Sequence, residues 1–111
     1  MSVKVEKYGN VAVLTPKEDL AGDIADVFTD KAKQVNAEGR FEVVIDCSEI
    51  DAFDSLGLEA LLDLQARCEE DFGAVKLCGL SPTCAKILEI TRLARRFETY
   101  ADLEGAVRSF A

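Results

Sequence analysis

Asp54-Ser55-Leu56-Gly57-Leu58 follows the apolar run Val43-Val44-Ile45 and the acidic loop Asp46-Cys47-Ser48-Glu49-Ile50-Asp51. A buried strand, a polar loop and a serine opening an amphipathic helix would present one hydroxyl at a helix N-terminus. Backbone N–H groups lacking intrahelical partners and the positive end of the helix dipole favour an anion there. Ser55 is therefore a candidate carrier of a phosphoryl group, or the centre of a docking surface. The competing role is that of a simple helix cap, because serine is among the preferred N-cap types.

Other chemistry meets obstacles in composition. The chain has no histidine, so Ser-His-Asp and Cys-His arrangements are ruled out. A hydrolase built on Ser55 would need another base, and no lysine lies near it in sequence. The glycines are isolated, so neither a Walker A loop nor a G-x-G-x-x-G turn is present. Asp46, Glu49, Asp51 and Asp54 share one loop and could offer oxygens to a divalent cation; a solvated acidic loop is the reading adopted, with no metal and no cofactor. Asp46 at a strand end resembles the acceptor aspartate of receiver domains. Those domains also carry an acidic pair closing their first strand, and this chain has none there.

The net charge of −8 opposes nucleic-acid binding, which depends on neutralising phosphates. Arg92, Arg95 and Arg96 form a local basic cluster that reads as a solvated helix end. Cys47, Cys68, Cys78 and Cys84 show no C-x-x-C pair, and mostly occupy apolar-pattern positions, so they are expected as buried, reduced thiols. No apolar run approaches the ~20 residues that span a bilayer. Met1-Ser2-Val3-Lys4 begins no signal-peptide core. These features predict a cytoplasmic protein without membrane insertion.

The elements that would position the serine follow from periodicity. Val3 to Tyr8 alternates at the strand period, Gly9-Asn10 supplies a turn, and Val11 to Thr15 is a second strand ended by Pro16, together a hairpin. A helix is expected from Asp23, with Ile24, Val27, Phe28, Ala32 and Val35 on its apolar face and Gly39 closing it. Phe41 to Ile45 is a strand covered on both faces. The next helix is predicted over Ser55 to Phe72, with Leu58, Leu61, Leu62, Leu64, Cys68 and Phe72 forming its stripe and Gly73 ending it. Ala74 to Cys78 is a further strand. Ser81-Pro82 starts a helix bearing Cys84, Ile87, Leu88 and Thr91. An extended piece over Phe97 to Tyr100 precedes a last helix faced by Leu103, Ala106, Val107 and Phe110. The order β-β-α-β-α-β-α-β-α predicts an α/β fold over residues 1–111, read as one domain. Its sheet would be mostly parallel, of about four to five strands, with an N-terminal hairpin and a cover of about four helices. Sites in such sheets favour the loops at strand C-terminal ends, and 46–55 is one of them.

With these residues in place, the chain resembles the STAS domain of bacterial anti-sigma factor antagonists. The features that carry the likeness are Val43-Val44-Ile45-Asp46 followed by Asp54-Ser55-Leu56-Gly57-Leu58, the opening hairpin, Ser81-Pro82, Leu88-Glu89-Ile90-Thr91-Arg92-Leu93 and Leu103-Glu104-Gly105-Ala106. The resemblance implies a non-enzymatic protein that binds an anti-sigma factor serine kinase and thereby regulates transcription. It implies phosphorylation at Ser55, reversed by a phosphatase, and partner contact through Asp54, Ser55, Leu56 and Gly57. It leaves the oligomeric state open. Two positions depart from the family pattern: Leu56 stands where a second Ser or Thr is usual, and Ala21 where many members carry Asp. The alternative within the same fold is a constitutive adaptor subunit of a signalling or transport complex.

Overall fold

Gly9 takes a left-handed conformation (φ 63°), and with Asn10 it reverses the chain between β1 (Val3–Tyr8) and β2 (Val11–Pro16). The two strands pair antiparallel, Tyr8 opposite Val11 and Val3 opposite Pro16. The computed structural model describes residues 3–111; Met1 and Ser2, part of the N-terminal stretch considered above, lie outside the described residues. From β2 onward every pairing is parallel: β3 (Glu42–Asp46), β4 (Ala74–Cys78) and β5 (Glu98–Tyr100) follow in spatial order β1-β2-β3-β4-β5. The connections are α1 (Asp23–Ala37), α2 (Ser55–Glu70) and α3 (Pro82–Ile90), and α4 (Leu103–Arg108) closes the chain. A 3₁₀ turn, Ala94–Arg96, stands between α3 and β5 and has no counterpart in the sequence reading.

The alternation of strand side chains divides the interior in two. Ala12, Leu14, Val43, Ile45, Val75 and Leu77 face the larger core with Phe28, Leu61, Leu64 and Leu88 from α1, α2 and α3. Val11, Val13, Val44 and Cys78 face the other way, onto Ala106 of α4. That two-sided cover explains the uninterrupted apolar run in β3. Each large side chain so buried contributes about 1.5–3 kcal/mol, offsetting the entropy of ordering the chain.

Three helix ends share one motif. At α1 the Arg40 N–H reaches Val35 O (3.0 Å) and the Gly39 N–H reaches Asn36 O (2.9 Å), with Gly39 left-handed at φ 84°. The α2 end repeats this through Gly73 N–H to Cys68 O (2.8 Å) and Phe72 N–H to Glu69 O (3.1 Å). The α3 end does so through Leu93 N–H to Leu88 O (2.9 Å) and Arg92 N–H to Glu89 O (3.0 Å). These are Schellman caps, whose left-handed position suits glycine. Only α1 supplies one; α2 and α3 place Phe72 (φ 63°) and Arg92 (φ 64°) there, at about 1–2 kcal/mol of strain each.

The expected course of α2 is corrected accordingly. The helix ends at Glu70, and Phe72, placed in the apolar stripe, is fully exposed at 100%. Gly73 is needed for a different reason than a left-handed turn. A Cβ there would lie 1.9 Å from the Phe41 carbonyl oxygen, so the chain can start β4 beside β3 only without one. The stripe also omitted Gln65, which is buried. Thr91, expected on the apolar face of α3, is its exposed C-terminal cap.

Candidate functional site

Ser55 is the first residue of α2, exposed, at the C-terminal edge of the sheet. It is not the cap. Asp54 takes that role, its Oδ1 accepting the Gly57 N–H at 2.9 Å. The other oxygen, Oδ2, accepts the Gly22 N–H at 3.0 Å. One carboxylate thus joins the start of α2 to the β2–α1 loop. The competing reading of Ser55 as a helix cap is replaced by this geometry, because the extended backbone of Asp54 aims its carboxylate at the third helical N–H.

The same two segments are tied along their backbones. Leu20 and Phe53 form an isolated parallel bridge, with Leu20 N–H to Ala52 O at 3.3 Å and Asp54 N–H to Leu20 O at 3.2 Å. Asp19 Oδ1 accepts from Asp51 N–H (2.8 Å) and Ala52 N–H (3.3 Å). Lys17 Nζ pairs with Glu49 Oε2 at 2.6 Å. A third segment joins through Ser81, whose hydroxyl donates to Asp51 O (3.1 Å) and accepts the Cys84 N–H (3.0 Å). The platform beneath Ser55 is therefore three loops pinned together. Sequence reasoning missed Asp19, Leu20 and Gly22, whose partners lie more than thirty residues away.

Gly57, expected among the partner-contacting residues, is buried beneath this platform. A Cβ on it would stand 1.8 Å from Leu20 O, so its contribution is to let α2 lie against the Leu20 backbone. The accessible surface is Ser55 and Leu56, the latter 51% exposed, with Asp54 half-buried beside them.

The Asp54 carboxyl is held below the usual aspartate range, chiefly by the Gly57 N–H and next by the Gly22 N–H, against a desolvation that pushes it up. A depressed carboxyl contributes stability above the unfolded-state pKa, about 3.9, and loses it as pH falls through the folded value. Acid titration of unfolding should show a shallower stability loss below about pH 4 in Asp54→Asn than in wild type. Parallel slopes would show that the clamp does not depend on the charge.

The remaining acidic residues of the loop are dispersed. Asp46 Oδ1 accepts the Ser48 N–H (3.1 Å), and Glu49 is taken by Lys17. Among the described residues no group of three or more His, Cys, Asp or Glu side chains gathers as a metal site. The four cysteines are free and buried. Desolvation raises all four thiols, Cys47 well above its ordinary value, Cys68 to about 11 and Cys78 to about 12, with Cys84 also raised. They remain protonated and act as small core groups. Of the basic cluster, Arg96 lies 3.8 Å from Glu69, while Arg92 and Arg95 extend into solvent. No helix among the described residues is long and apolar enough to cross a membrane.

A parallel sheet with an antiparallel edge hairpin presents a serine on the first turn of the helix after its third strand. The STAS domain model matches residues 2–106, and the chain belongs to that family. A candidate anti-sigma factor antagonist from Thermotoga maritima has a similar crystal structure, with TM-score 0.90 at 18% identity over 96% of this chain and 92% of that one. The Bacillus cell fate determinant SpoIIAA in its phosphorylated form matches with TM-score 0.78 at 18% identity, covering 98% and 99%. A sulfate transporter family protein from Wolinella succinogenes matches with TM-score 0.81 at 15% identity, covering 92% and 85%. At these identities the likeness establishes the fold. No curated protein matches the chain by sequence.

Proposed function

We propose that this STAS domain is an anti-sigma factor antagonist that binds a serine kinase of the anti-sigma type and is released by phosphorylation of Ser55. The observation that carries this reading is the division of labour at α2. Asp54 caps the helix, leaving Ser55 exposed on a rigid platform. Transfer of the γ-phosphoryl group of ATP to Ser55 Oγ, with loss of the hydroxyl proton, adds about −1.5 to −2 charges beside Asp54. The helix dipole favours that charge by about 0.3–1 kcal/mol, so the fold tolerates it. An interface closing over Ser55 must desolvate it, and each ~1.4 kcal/mol of penalty weakens binding tenfold. A structural neighbour described in a phosphorylated form is in keeping with this mechanism.

Incubation with the kinase and ATP should add one phosphoryl group by intact mass, and none to Ser55→Ala. Because Ser55 is not the cap, Ser55→Ala should stay within about ±0.5 kcal/mol of wild-type stability. Ser55→Asp should keep the fold and weaken kinase binding by at least about tenfold. Equal binding of wild type and Ser55→Asp would count against the switch.

That last outcome would favour a constitutive adaptor, a reading supported by exposed Leu56 at the family's Ser/Thr position and by the transporter-family neighbour. Leu56→Ser is expected to change stability by no more than about 0.5 kcal/mol, as surface substitutions do, while lowering affinity for whichever partner docks there. A drop in the unfolding midpoint without a change in binding would place Leu56 in the fold's service instead.

A further inference from the structure

The end of the sheet opposite Ser55, where β3, β4 and β5 begin, carries the two left-handed side chains. Phe72 and Arg92 occupy the same position in equivalent caps, where α1 uses glycine. Neither is held there by packing: Phe72 is 100% exposed and Arg92 is exposed. Ile90, two residues before Arg92, is 66% exposed. The Arg96–Glu69 ion pair (3.8 Å) and a hydrogen bond from Gln65 to the Arg96 carbonyl tie α2 to the 3₁₀ turn that follows the Arg92 cap. Phe72 is bordered by exposed Glu69, Glu70 and Asp71, whereas Arg92 and Arg95 line a cleft with Glu89, whose carboxylate pairs with Lys86, and themselves form no ion pair among the described residues. Backbone strain of this kind gathers at sites where side chains meet ligands or partners.

We infer that this edge is a second docking surface for a protein partner, with Phe72 inserting into an apolar socket and Arg92 and Arg95 meeting the partner's carboxylates. Aromatic and arginine side chains are the residue types that anchor such interfaces. The charge pattern selects a protein over a lipid surface. An anionic bilayer receiving Phe72 would also have to receive Glu70 and Asp71, and the chain's net charge of −8 opposes that approach. A protein can place a cation against those two and carboxylates against the arginines. This inference does not rest on Ser55.

The test places a photo-crosslinking benzoylphenylalanine at position 72 of the full chain, expressed in its own cells, and identifies the captured protein. That protein is then purified and titrated with wild type, Phe72→Gly and the pair Arg92→Gly, Arg95→Ser. The expected result is at least tenfold weaker binding to each variant, with a reduced salt dependence for the arginine pair, while Lys4→Ala, a change on the exposed face of β1, binds as wild type does. Phe72→Gly and Arg92→Gly should each raise the melting midpoint, by about 4 °C, since each relieves a strained cap; lost binding then cannot be misfolding. A lowered midpoint for both would mean that these residues serve the fold, and would overturn the proposal. So would absence of any captured protein, capture of a second copy of this chain alone, sedimentation with phosphatidylglycerol vesicles dependent on Phe72, or variant affinities within twofold of wild type. Failure of the Ser55 switch shows separately, as equal kinase binding by wild type and Ser55→Asp.

Discussion

Gly57→Ala is expected to destabilise the protein by about 3 kcal/mol, more than a glycine-to-alanine change in a helix would suggest, since that exchange alone favours alanine by about 0.5–1 kcal/mol. The added Cβ would lie 1.8 Å from the Leu20 carbonyl oxygen and 2.8 Å from its carbon. Both are backbone atoms of a segment held by the Leu20–Phe53 bridge, so no rotamer change relieves the clash. Either α2 lifts from the loop or the loop detaches from Asp54. The second course breaks the Gly22–Asp54 and Asp54–Leu20 hydrogen bonds that form the platform under Ser55. Urea unfolding measures the loss, and hydrogen exchange at the Gly22 and Asp54 amides should show it locally. Gly105→Ala is the control: its Cβ would meet the Asp102 carboxylate at 3.1 Å and the Tyr100 ring at 3.9 Å, and side chains can give way. Equal stability of Gly57→Ala and wild type would refute the close-approach account.

Gln65→Leu should cost about 3 kcal/mol although it replaces a polar residue by an apolar one in a buried helix face. Gln65 is 4% exposed and uses both ends of its amide. Its Oε1 accepts the Val75 N–H at 2.7 Å, and its Nε2 donates to the Arg96 carbonyl. Val75 sits one residue before the β4–β5 pairing, which starts at Lys76 opposite Glu98, so the glutamine serves this amide just outside the ladder. Leucine leaves a buried N–H and a carbonyl without that partner, at about 1–3 kcal/mol each. It also unties α2 from the 3₁₀ turn and from the start of β5. Gln65→Glu, which keeps the acceptor for Val75, should lose less than leucine in the same urea titration if the Val75 bond dominates. A leucine variant as stable as wild type would mean that water or a shifted backbone satisfies both groups.

These two residues mark where legibility in the sequence stopped. The strands, the hairpin turn at Gly9-Asn10 and the Ser81-Pro82 helix start were readable because turn chemistry and caps depend on neighbours within a few positions. The apolar face of α1 was readable too, since 3.6-residue periodicity records which side is buried, as Phe28, Ala32 and Val35 confirm. Phe72 was misplaced because periodicity continues on paper past the residue where backbone geometry ends the helix. Gln65 was passed over because a polar residue enters a core only when its partners are present, and those lie ten and thirty-one residues away.

The local sequence around Ser55 was enough to place a serine at a helix start, at the strand end where α/β sites gather. What the tertiary structure decided is who caps that helix and what holds the cap. The extended backbone of Asp54 makes it the cap, and Gly22, thirty-two residues earlier, holds that carboxylate through a second N–H. Gly57 permits the approach by lacking a Cβ. Propensity and spacing act through neighbours along the chain, whereas a shared carboxylate and a missing side chain act between segments that only folding brings together.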